Sequence, residues 1–212
     1  MKKQIGTFVL LLTAIGLVAG CASTGAKRTD KVDSSVATTR VGLEEAKQLV
    51  AETLGTLDSL QLESTVLADA YPVFQKQAKG VADAAAKLKK NSVAMQEAGK
   101  VKFDTWKAEL EAIANEQIKK TSTKSMNDAI KKYDALLKLL KESDTVMDPF
   151  ASDLADIVKY LDLDLSKESI KKISGFNGPI KKANKSGEKV QKWIDNVVKE
   201  LAGAESKPAA TK

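Results

Sequence analysis

LADAYPVFQKQAKGVADAAAKLKKNSVAM, residues 67–95, is the stretch whose reading decides the fold. Leu67, Tyr71, Phe74, Ala78, Val81, Ala85, Leu88, Ser92 and Met95 follow one another at alternating steps of four and three residues. Side chains so spaced lie on one face of a helix, and the unbroken alternation is that of a coiled-coil-like seam. Beyond Met95 the phase drifts through Gly99 to Phe103 and resumes at Trp106, Leu110 and Ile113. Two successive four-residue steps are a stutter, which locally unwinds a supercoil. Pro72 marks the start of this helix or a kink in it. From Leu67 to Ile113 the helix would run about 70 Å at 1.5 Å per residue, the dimension of a rod rather than a globule.

The same spacing extends outward on both sides. Upstream, Leu43, Ala46, Val50, Leu54 and Leu57 predict a first helix starting near Arg40, with Ser64 as a cap for the long helix that follows. Downstream, Lys120-Thr121-Ser122-Thr123 reads as a turn, with Ser122 or Ser125 capping a third helix. Its seam is Met126, Ile130, Tyr133, Leu137, Leu140, Asp144, Met147, Ala151, Leu154, Val158 and Leu161, with a kink expected at Pro149. A connector, Leu161 to Leu165, leads to a fourth helix capped by Ser166. That helix carries Ile170, Ile173, Ile180, Val190, Ile194, Val197 and Leu201 and is expected to break near Gly178. Short turns imply antiparallel neighbours. The expected fold is therefore all-α: an elongated antiparallel bundle of three to four long helices over residues 41–202, with coiled-coil-like packing. Residues 203–212 read as a disordered tail.

The first forty residues have a different character. Met1 to Gln4 carries two lysines, Ile5 to Val18 is apolar, and Ala19-Gly20 is small. This is the layout of a cleaved secretory signal over residues 1–20, too short to span a bilayer comfortably. Val18-Ala19-Gly20-Cys21 resembles the lipobox of bacterial lipoproteins. The resemblance implies cleavage before Cys21, a diacylglycerol thioether on its sulfur and acylation of the new amino terminus. Residues 21–40, rich in Ser, Thr and charge, then read as a lipidated flexible tether. As a random coil, the 19 residues after Cys21 would hold the domain about 24 Å from the lipid. With Ala22 rather than an aspartate after the cysteine, the expected location is the outer membrane, facing the periplasm.

Composition narrows the chemistry. The chain has no histidine and a single cysteine, so disulfides, imidazole-based metal sites and, with Cys21 acylated, thiolate nucleophiles are excluded. Only Arg28 and Arg40 are arginines, and lysine lacks the planar fork that grips phosphate in two places, so nucleic acid is not an expected partner. Asp144, Asp148, Asp153 and Asp156, with Glu142, have the composition of a cation or acid–base site, but their helical spacing favours a solvated face. From Glu142 to Leu165 seven acids meet one lysine, whereas Ser166 to Glu200 holds nine lysines and four acids. Pairing between adjacent antiparallel helices accounts for this contrast, with contact to an anionic envelope polymer or lipid headgroups as the functional alternative. Tyr71, Phe74, Phe103, Trp106 and Tyr133 sit at seam phases and read as core; Trp193, beside Ile194, fits either core or an exposed contact.

Phe103, Trp106, Glu109-Leu110, Ile113, Asn115, Tyr133, Met147-Asp148-Pro149, Leu154, Asp156, Val158, Leu161, Leu165 and Ile170 resemble the pattern of an uncharacterised bacterial family of envelope proteins with coiled-coil-like helices, a domain of unknown function. The resemblance covers about residues 103 to 170 and implies the helical fold without an activity. Asp162-Leu163-Asp164 departs from it, standing where the family tends to carry Lys-His-Asn. The family's basic segment near its start is also missing around Arg40.

The functional expectation is a non-enzymatic envelope lipoprotein without cofactor, metal or catalytic residues, presenting a rod as a structural or protein-interaction module. Its partners would be the membrane, through Cys21, and an envelope protein or cell-wall component; the seam could be satisfied within the chain or in a homo-oligomer. The rival reading is a periplasmic carrier or holdase that opens around apolar cargo.

Overall fold

Residues 23–175 and 177–205 are described by the computed structural model, with side chains from residue 31 to 202. Six helices make up this part of the chain: α1 (Ser23–Leu60), α2 (Leu67–Glu111), α3 (Glu116–Lys141), α4 (Ser143–Leu163), α5 (Lys167–Ile173) and α6 (Pro179–Glu205). α1, α2, the rod made of α3 and α4, and α6 alternate in direction, and α1, α2, α4 and α6 close into a ring in which each packs on the next. This is the up-and-down bundle read from the seams.

The tether expected over residues 21–40 is a correction. From Ser23 onward this stretch is the first half of α1, and Val32 and Thr39 are buried in it; Cys21 and Ala22 lie outside the described residues. The seam in fact extends back without a slip: Val32, Val36, Thr39, Leu43, Ala46, Val50, Thr53, Leu57 and Leu60 are all buried or packed on the core. Two threonines disguise it. Each returns its hydroxyl proton to its own helix, Thr39 Oγ1 to Ser35 O at 2.8 Å and Thr53 Oγ1 to Leu49 O at 2.7 Å, so neither buries an unmet donor.

The α2–α3 turn also moves. Residues 120–123 are helical, and Thr121, Thr123 and Ser125 all donate to the carbonyl four residues back. The chain instead turns at Ala112–Asn115, where the Asn115 side chain accepts from the Ile118 N–H at 3.1 Å and caps α3. Ser64 caps nothing: α2 starts after Val66, and Thr65 ties the preceding loop down by donating to Ser59 O at 2.6 Å.

The third rod breaks at Glu142, not at Pro149, which lies inside α4. There Glu142 N–H bonds to Leu139 O at 3.1 Å and Thr145 N–H to Glu142 O at 3.0 Å, both three residues back. The proline ring presses on the turn before it, and the departure from α geometry falls upstream of that turn. Past the break Ser143, Phe150 and Ile157 are buried while Asp144 is exposed, so this part of the expected seam is shifted. The physical reason is that α4 touches α2 on one flank and α6 on the other, which needs a broader apolar face than a two-helix seam. The expected break before α6 is present, and α6 runs to Glu205, into the stretch expected as tail; residues 206–212 lie outside the described part.

Candidate functional site

Glycines set how closely the rods approach. A Cβ on Gly187 would lie 2.7 Å from Leu54 Cδ2 and 3.0 Å from Phe150 Cε2, so any larger residue there forces a neighbour to shift where α6 meets α1 and α4. On α2, a Cβ on Gly99 would fall 2.1 Å from Tyr133 Cε1. The Tyr133 ring lies over the bare backbone there, donates its hydroxyl to Met95 O, and meets Phe103 edge-on with centroids 5.6 Å apart. Burial pushes the Tyr133 phenol up to about 12.

Beside this contact a groove of about 720 Å³ opens between α2 and α3. Val93, Phe103, Tyr133 and Leu137 supply its apolar wall. Lys100, Lys138 and Lys141 stand at its rim with Glu97 and Asp134. The stutter at Gly99 is legible in sequence; the groove it accompanies is not, because it depends on how two helices are spaced.

The acidic set does not converge. Asp144 pairs with Lys89 of α2 at 3.0 Å, and Asp156 with Lys159 at 3.2 Å. Asp153, buried on α4, takes Lys182 of α6 at 2.7 Å and the Ser186 hydroxyl at 2.9 Å. That contact raises the Lys182 pKa through the hydrogen bond first and the carboxylate charge second. Among the described residues no group of three or more His, Cys, Asp or Glu could hold a metal ion. One acid of α4, Asp153, meets a lysine of the adjacent α6 directly, while Lys47–Asp195 ties α6 to α1. Trp193 is core, its indole N–H donating to Leu139 O at 2.8 Å, and the Trp106 indole N–H meets Ser122 Oγ at 3.3 Å.

The departure at Asp162-Leu163-Asp164 has a structural job. Asp162 Oδ1 accepts from the Tyr71 hydroxyl at 2.6 Å and from Gln75 at 2.7 Å, locking the end of α4 to the start of α2. Burial, then Asp162, push the Tyr71 phenol well above the tyrosine range. Asp164 accepts from the Ser169 hydroxyl, which, with Ser166, holds its carboxyl below the usual range. Leu163 between them is 87% exposed. With Leu62, Val66 and Leu165 it forms an apolar group at this end, where Lys167 Nζ donates to Leu62 O and Lys171 meets Glu63 at 2.8 Å.

The fold thus defines an elongated antiparallel helical bundle whose described residues include no group of three or more His, Cys, Asp or Glu placed to hold a metal ion. Residues 19–206 match the family model described as "Protein of unknown function (DUF2959)", and the chain belongs to that family. No curated protein and no solved structure matches it.

Proposed function

We propose that the chain is a lipoprotein of the bacterial envelope, held at the outer membrane by acyl chains on Cys21, and that its bundle serves as a non-enzymatic structural or protein-interaction rod facing the periplasm. The observation that carries this is Val18-Ala19-Gly20-Cys21 at the end of the apolar run from Ile5. Two or more chains hold a protein stably where one does so only marginally, so a multiply acylated Cys21 is a durable anchor. Palmitate fed to producing cells should label the protein and fail to label a Cys21→Ser variant. Label that survives the substitution sinks the anchor.

The groove between α2 and α3 favours a second reading, a periplasmic carrier or holdase for apolar cargo. Its size falls within the roughly 300–1,000 Å³ of small-molecule sites. A carrier should bind an environment-sensitive apolar dye in the groove, lose that signal in Leu137→Lys, and show cargo-dependent hydrogen exchange around Glu142. A rod should do none of these.

A further inference from the structure

Without a flexible tether, the position of the anchor along the rod becomes a matter of helix register. Glu45 of α1 pairs with Lys87 of α2, Leu49 lies against Gly80, and Gly42 lies against Leu88 and Asn91. Carried along two antiparallel helices of equal rise, this register sets Ser23 level with the last turn of α2, near Leu110. On the other flank, Trp106 meets Ser122, which sets Ile118 at the same level. Cys21 precedes Ser23 by two residues, a reach of at most about 7 Å. The first described turn of α1, two residues after Cys21, and the α2–α3 turn therefore share one end of the molecule.

That end has the chemistry of an interfacial contact. Ile118 is 56% exposed, and Ile113 in the turn is half-buried. Lys107, Lys119, Lys120 and Lys124 surround them, long side chains whose stems lie along apolar surface while the ammonium reaches water or headgroups. Glu111 and Glu116 offset much of this charge, so apolar contact rather than net charge holds the end at the interface. Exposed apolar side chains at such an end can enter the headgroup boundary, as the apolar face of an interfacial helix does.

We propose that the α2–α3 turn, with Ile113 and Ile118, is the foot on which the bundle stands on the bilayer that holds Cys21. This rests on the lipid anchor proposed above. The rod then rises from the membrane, and its opposite end, with Leu62, Val66, Leu163 and Leu165, is presented about 57 Å away along α1.

The test reads tryptophan emission from the anchored protein in phosphatidylglycerol–phosphatidylethanolamine vesicles whose acyl chains carry bromine, a contact quencher. Trp106, which lies near the foot, is removed by Trp106→Phe. Trp193 stays as a distant reference, level with about Leu49 and so about 39 Å from the level of Ser23. In that background Ile118→Trp should lose more than half of its added emission, and Leu62→Trp should lose none. An unquenched Ile118→Trp, or equal quenching at both positions as in a rod lying flat, overturns the proposal. Mass measurement of the protein extracted from cells reports separately on the acyl groups. If Cys21 is found unmodified, the same thiol is coupled to a maleimide phospholipid, so the foot is read even where the lipoprotein reading fails.

Discussion

The two ends of the molecule are built from the same helices and packed to different depths. Toward the α1–α2 loop four helices close around Leu57, Phe74, Phe150, Leu154, Ile157 and Val190, and α1, α2, α4 and α6 each contribute a buried face. Toward the α2–α3 turn the buried positions among the described residues thin out. Between Gly99 and Leu110 no residue of α2 is buried, and from Glu116 to Tyr133 of α3 only Met126 is. The difference shows that an unbroken helical period does not mean uniform burial: a seam residue counts only where a neighbouring helix arrives to cover it. Stability should be concentrated in the four-helix half, leaving the other half available for contact with something outside the chain.

Four measurements sharpen or break this contrast. Phe150→Ala, in the four-helix half, should cost about 3–5 kcal/mol in denaturant unfolding, while Ile113→Ala at the turn should cost well under that; equal costs would erase the distinction. Gly99→Ala should cost about 1–3 kcal/mol, because the Tyr133 ring must leave its seat and the groove beside it must change shape. Tyr133→Leu in the same chain should recover part of that loss, and an additive double mutant would show that the close approach is not what glycine serves.

Asn115→Ala should remove the α3 cap at a cost of about 1 kcal/mol. Amide exchange should quicken in the first turns of α3 and stay unchanged in α4. The smallest effect near neutrality comes from the phenols. Both Tyr71 and Tyr133 have folded-state values raised above the unfolded value of 10.0. Their contribution is fully present below that value and is lost as pH rises through the folded one, for Tyr133 at about 12. Melting temperature should thus be flat with respect to these groups at neutral pH and fall above pH 10, and Tyr133→Phe should reduce the fall. A fall of the same size in the variant would assign it to other groups.

Much of the architecture was legible because helical burial leaves a local mark. The spacing from Tyr71 to Met95, and from Ile180 to Leu201, repeats the period of the helix and needs no partner to be recognised. Thr39 hid the seam in the first half of α1, and Thr53 a seam position in the second, because a polar side chain can fill such a position once its own backbone takes its proton. Thr121, Thr123 and Ser125 imitated a turn for the same reason. Of the candidate sites, the acids of α4 were visible as a set, but their separate partners, Lys89, Lys182 and Ser186, come from two other helices that no local pattern names.

What the sequence by itself determined is the helical class and the antiparallel order, since each depends on residues within a few positions of one another. Tertiary structure alone decided that residues 23–40 are helical and lie along α2, that α4 needs a face broad enough for two neighbours, and that the third rod breaks at Glu142. These depend on which side chains meet across helices far apart in the chain, as Gly99 meets Tyr133 and Asp153 meets Lys182. Such meetings are set by register and spacing, and the register of α1 on α2 is also what brings the start of the first helix to the level of Ile118.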